Sequence, residues 1–97
     1  MIQGTTPTHT FNLPFDSANI ECLRIVYEQN KKVILAKEEC TKDGNKLELK
    51  LTQEETLMFD ENIPVRIQLH VKFTNGEVGA SKPTTVPVYE LLDRREI

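Results

Sequence analysis

The sequence predicts an all-β protein, a small antiparallel β-sandwich of about seven strands with one short helical turn near residues 53–59. Three observations carry this expectation. Val65, Ile67, Leu69, Val71 and Phe73 alternate without a break against Arg66, Gln68, His70 and Lys72, the period-two pattern of a strand with one buried face. Lys46 to Leu51 repeats the pattern, with Leu47, Leu49 and Leu51 as the inner row. Turn signals stand in front of the second run and behind the first: Asp43-Gly44-Asn45, and Asn75-Gly76. A strand with one apolar face needs a second sheet to cover it, which is what a sandwich supplies.

The other elements follow in chain order. Residues 1–7 form a polar arm, and Thr8 to Leu13 read as a short strand with Phe11 and Leu13 inward, ended by Pro14 and Asp16-Ser17. Ile20 to Tyr27 and Lys32 to Lys37 read as a hairpin about Gln29-Asn30-Lys31. With Asn30 at the turn centre, Ile25 would face Leu35 and Tyr27 would face Val33. Thr52-Gln53-Glu54-Glu55 is a capping box and predicts a helix through about Phe59, with Leu57 and Met58 or Phe59 plugging one end of the sandwich. Glu54, Glu55, Asp60 and Glu61 are explained by capping, dipole and solvation rather than by acid–base or metal chemistry. A type I′ turn at Asn75-Gly76 would set Phe73 against Val78 and Val71 against Ala80. Pro83 and Pro87 mark the run from Thr84 to Tyr89 as an edge strand or a switch between sheets. Tyr89 to Leu92 packs back on the core, and residues 93–97 form a solvated tail.

The expected hairpin register also bears on the cysteines, because it places Cys22 and Cys40 diagonally on one face, about 7–8 Å apart at Cα. That is slightly beyond disulfide reach, so both are expected as free thiols. They lack the Cys-x-x-Cys spacing of a redox pair.

Ninety-seven residues make one domain, with no length for a second. Apolar residues are 38% and charged residues 28%, an ordinary globular balance. A net charge of −3 with scattered basic residues argues against nucleic acid and anionic lipid as partners. Met1 to Pro7 carries neither a basic cluster nor an apolar run, so no signal peptide is expected, and no segment approaches the length of a membrane span. His9 and His70 have no Cys or Asp at ligand spacing, so no metal site is expected. Ser17 and Ser81 lie outside any Gly-x-Ser-x-Gly context, and the four glycines form no phosphate-cradling loop. The sequence therefore offers no catalytic, cofactor or metal residues, and a small β domain of this kind acts by default through its surface.

The opening Met1-Ile2-Gln3-Gly4-Thr5-Thr6-Pro7-Thr8-His9-Thr10-Phe11, the turn Lys50-Leu51-Thr52-Gln53-Glu54-Glu55-Thr56-Leu57 and the strand Ile67-Gln68-Leu69 resemble a family of small phage and prophage proteins of Gram-positive bacteria. The likeness spans nearly the whole chain. The pattern is also similar to the N-terminal β-sandwich domain of phage baseplate upper proteins, so the sandwich is expected to be either immunoglobulin-like or of that baseplate type. The resemblance implies a non-enzymatic structural or assembly component of tail, baseplate or head, present in the host cytoplasm during assembly and then in the virion. It implies other phage structural proteins as partners, and closed homo-oligomers are a common form of such assembly. Ile2, Phe15, Tyr27 and Tyr89 are the candidate contact residues. A host-surface or glycan-binding module is the alternative, resting on Tyr27 and Tyr89 as the aromatic rings left for sugar stacking. A small prophage regulator of a host protein is the third reading.

Overall fold

A computed structural model describes residues Met1–Ile97. The chain forms eight strands in two antiparallel sheets: β1 (Thr8–Asn12), β2 (Ile20–Gln29), β3 (Lys32–Lys37), β4 (Thr41–Asp43), β5 (Lys46–Lys50), β6 (Val65–Phe73), β7 (Val78–Ala80) and β8 (Thr84–Val86). The smaller sheet has the order β1-β5-β4, and the larger one the order β3-β2-β6-β7, with β8 on the same side of β6 as a continuation of that edge. The all-β sandwich is therefore present, with one strand more than expected. The additional strand is β4, whose Thr41-Lys42-Asp43 is exposed at every position and so carries no alternation to read.

The core lies between the sheets. Ile25 and Tyr27 of β2, Leu47 and Leu49 of β5 with Leu51 just beyond it, and Val65, Ile67, Leu69 and Val71 of β6 are buried together with Leu13, Phe59 and Val88. These are the inward positions of the alternating runs. Burial of each large aliphatic side chain contributes about 1.5–3 kcal/mol, and the two alternating strands with Leu51 supply seven of the fourteen buried apolar residues.

Both hairpins differ from the expected register. Asn30 (φ 51) and Lys31 (φ 63) are both left-handed, giving a two-residue turn that pairs Gln29 with Lys32 rather than a turn centred on Asn30. A bulge at Ile34 then brings Tyr27 opposite Leu35 and Ile25 opposite Lys37, in place of Val33 and Leu35. At the second hairpin the loop has three residues, Thr74 to Gly76: Phe73 N–H donates to Glu77 O (2.8 Å) and Gly76 N–H to Phe73 O (2.9 Å). Only Gly76 (φ 91) is left-handed, while the Asn75 side chain accepts from Glu77 N–H (3.0 Å). Val71 therefore opposes Gly79, and Lys72 opposes Val78, one residue away from the I′ expectation. Asn75 prefers to cap its own turn, and that costs the hairpin one register step.

The capping box is formed as read, with Glu55 N–H donating to Thr52 Oγ1 (3.1 Å) and Thr52 N–H to the Glu55 carboxylate (2.9 Å). The helix it starts, α1 (Gln53–Thr56), is a single turn that stops short of Phe59. Phe59 is the end plug, 1% exposed, whereas Met58 is 49% exposed. A second short turn, the 3₁₀ segment Ser17–Asn19, is capped by Asp16 and carries the chain from β1 to the other sheet.

Residues 1–7 lie against the body of the domain. Ile2 makes a parallel bridge to Tyr89, and Gln3 is fully buried. The Gln3 amide donates to Phe59 O (2.6 Å) and its oxygen accepts from Leu91 N–H (3.2 Å), joining the N-terminal segment, the helical turn and the C-terminal segment. Residues 93–97 are exposed, and Arg94 donates to Leu57 O (2.7 Å) and Ile97 N–H to the Gln53 side-chain oxygen (3.0 Å).

Cys22 and Cys40 are free. The geometric premise differs from the expected diagonal, because Cys22 pairs with Lys72 of β6 and Cys40 lies beyond the end of β3.

Candidate functional site

The two sheets do not match in width, and the mismatch leaves one side of the sandwich open. Along it runs a cleft of about 530 Å³. Phe11, Leu13 and Phe15 form one wall, the inner face of β6 (Ile67, Leu69, Val71, Phe73) forms the floor, and Gly79 to Ser81 with Thr84 form the far rim. Each wall follows from the sequence. Phe11 is an inward residue of β1 with Leu13 just beyond the strand on the same face, and Ile67, Leu69, Val71 and Phe73 are the alternating inward row of β6. Phe15 sits edge-on to Phe73, ring centres 5.0 Å apart at 77°, so an aromatic pair closes one end. No residue lining the cleft is charged.

The four candidate contact residues separate. Ile2 (47% exposed) and Tyr89 (57% exposed) are bridge partners and form a joint apolar patch that does not line the cleft. Phe15 belongs to the cleft wall. Tyr27 is not a surface residue: it is 0% exposed, packed on Phe59 with ring centres 5.7 Å apart. It shares the inward face of β2 with Leu23 and Ile25, and His9 of β1 and Phe59 pack against it.

The residue that sequence reasoning missed is His9. Its Nδ1 lies 2.6 Å from the Tyr27 hydroxyl, linking the smaller sheet to the larger one inside the sandwich. Burial holds the imidazole below its ordinary 6.5, and the positive N-terminal amino group acts in the same direction. Burial likewise raises the Tyr27 phenol above its ordinary 10.0, reinforced by the nearby Glu55 carboxylate. The signal was present in the sequence, because His9 shares the period-two face of Phe11 and Leu13. Beside this pair, Lys37 Nζ donates to Glu55 (2.7 Å). Burial alone would raise the Glu55 carboxyl, but the hydrogen bonds from Lys37 and from the Thr52 amide outweigh it and hold the group below its ordinary 4.5. These four side chains fasten β1, β2, β3 and α1 to one another. No group of three or more His, Cys, Asp and Glu side chains is placed to hold a metal ion. No helix is long and apolar enough to cross a membrane.

Searches against protein families, curated proteins and solved structures return no match for this chain.

Proposed function

We propose that this chain is a non-enzymatic module that works through protein–protein contact, as a structural or assembly component of a phage or prophage particle. The observation that carries the contact reading is the uncovered side of the sandwich, where an apolar cleft of about 530 Å³ opens between two sheet edges. Exposed apolar concavities of this kind mark sites of association. The phage context rests on the resemblance of the Met1–Phe11, Lys50–Leu57 and Ile67–Leu69 segments, and it carries with it the localisation in host cytoplasm and virion. The glycan-binding alternative is weakened, since Tyr27 is buried and Tyr89 alone of the two tyrosines presents a ring to solvent. The test is mass spectrometry of purified, induced particles, together with light scattering on the protein alone and mixed with the products of neighbouring reading frames. Presence in particles, or a defined complex, is the expected result. A protein absent from particles that stays monomeric and binds none of those products would overturn the proposal.

A further inference from the structure

We propose that the cleft is a strand-accepting groove, taking an extended, uncharged segment of another polypeptide alongside β1 as a fourth strand of the smaller sheet. The inference rests on the protein-contact reading and specifies its partner. The backbone provides the first argument. Leu13 N–H donates to Asn45 O (2.7 Å) and Leu51 N–H to Pro7 O (3.0 Å), which fixes the odd-numbered residues of β1 as those hydrogen-bonded to β5. In an antiparallel ladder the intervening residues direct their N–H and C=O groups the other way. Those residues are Thr8, Thr10 and Asn12, all exposed, and β1 has no second neighbour. Thr10 and Asn12 stand at the rim of the cleft.

The contrast between β1 and the other free edges is the second argument. The edge strand β3 carries Lys32, Lys37 and a bulge, β4 is three residues long with Lys42 and Asp43, and β7 and β8, which together form the far edge of the larger sheet, have three residues each and are separated by Lys82-Pro83. Each is a known means of discouraging strand addition. Strand β1, Thr-His-Thr-Phe-Asn, has five residues with neither charge nor proline. Lying between Pro7 and Pro14, it is the longest free edge without charge, proline or bulge, and it borders the apolar floor.

Charge complementarity gives the chemistry of the occupant. No lining residue is charged, so a charged side chain turned toward the floor would be desolvated without a partner. A strand here turns every second side chain to the floor of Ile67, Leu69 and Val71, so these positions call for aliphatic residues, while the outward positions are free.

The test is selection of a displayed library of random short peptides on the immobilised domain, followed by hydrogen exchange of the domain with a selected peptide. The expected peptides carry uncharged aliphatic residues two positions apart and slow exchange of the Thr8, Thr10 and Asn12 amides. Thr10→Pro removes an edge donor that β5 does not use, so the domain keeps its fold and peptide affinity falls about tenfold. Gly79→Val provides an independent check, because its Cβ would meet the Phe73 ring at an ordinary 3.5 Å and fill the cleft from the opposite rim. It also abolishes binding. Peptides that bind without protecting these three amides, or equally well to both variants, overturn the groove, as does a selection with no enrichment. A dimer of the domain alone that Thr10→Pro dissociates would make the occupant a second copy and overturn the assignment to another polypeptide. A protein found in particles whose Thr10→Pro variant is incorporated normally loses the groove and keeps the protein-contact reading.

Discussion

The His9–Tyr27 hydrogen bond makes a double-mutant cycle with a sign that can be worked out in advance. At 2.6 Å it joins a half-buried imidazole to a phenol on a fully buried side chain. His9→Phe keeps the volume but leaves the phenol O–H buried without a partner, which costs about 1–3 kcal/mol. Tyr27→Phe leaves one nitrogen of a half-buried imidazole without its partner, at a cost of about 0.5–1.5 kcal/mol. Replacing both partners with rings of similar shape strands no polar group, and the double variant should be more stable than His9→Phe alone. The pH dependence has a definite sign as well. In the unfolded chain the imidazole takes a proton near its ordinary 6.5, whereas in the folded chain it does so only at lower pH. Between those two points the unfolded state holds more protons, so stability falls as pH drops below 6.5 and levels off below the folded value. His9→Phe should remove this part of the slope. Urea denaturation of the parent and three variants from pH 8 to pH 5 measures all of it, and each kcal/mol also moves the melting point by about 4–8 °C. The reasoning fails if His9→Phe matches the parent, if the double variant is no better than the sum of its parts, or if His9→Phe retains the full slope.

Other perturbations test the rest of the fold. Leu69→Ala should cost about 2–5 kcal/mol by calorimetry, and a loss under about half a kcal/mol would mean that β6 does not hold the core. Glu55→Ala removes both the acceptor for Thr52 N–H and the partner of Lys37, at about 1–2 kcal/mol near neutral pH. Because the folded Glu55 carboxyl lies below its ordinary 4.5, that contribution should fade as pH falls through and below 4.5. Gln3→Ala strands the buried Phe59 carbonyl and Leu91 amide, and a loss of about 2–4 kcal/mol in a chemical melt is expected. Thiol labelling of the native protein should modify the exposed Cys22 before Cys40, since burial raises the Cys40 thiol while Lys42 only partly opposes it.

Local chemistry was legible in the sequence wherever neighbouring residues decide it. Alternation marked β5 and β6 and their inward rows, because side-chain direction in a strand depends only on residue parity. The capping box was legible because both of its hydrogen bonds close within four residues. Turn length was less so: Asn75-Gly76 satisfies a two-residue I′ turn on paper, but the Asn75 side chain bonds to Glu77 and lengthens the loop. At the first hairpin the extra residue at Ile34 moved the partner of every later position. What only the tertiary structure decided is which faces meet. Tyr27 looked available as one of two aromatic rings left over from the core, yet His9 of β1 and Phe59, both distant in sequence, pack against it and bury it. The cleft arises in the same way. Whether the apolar row of β6 is covered depends on the number and order of strands in the opposite sheet, and alternation within one strand does not encode that order. Hence the sequence by itself determined the strands and their apolar faces, while the pairing of three strands against five, a matter of long-range contacts, left one edge open.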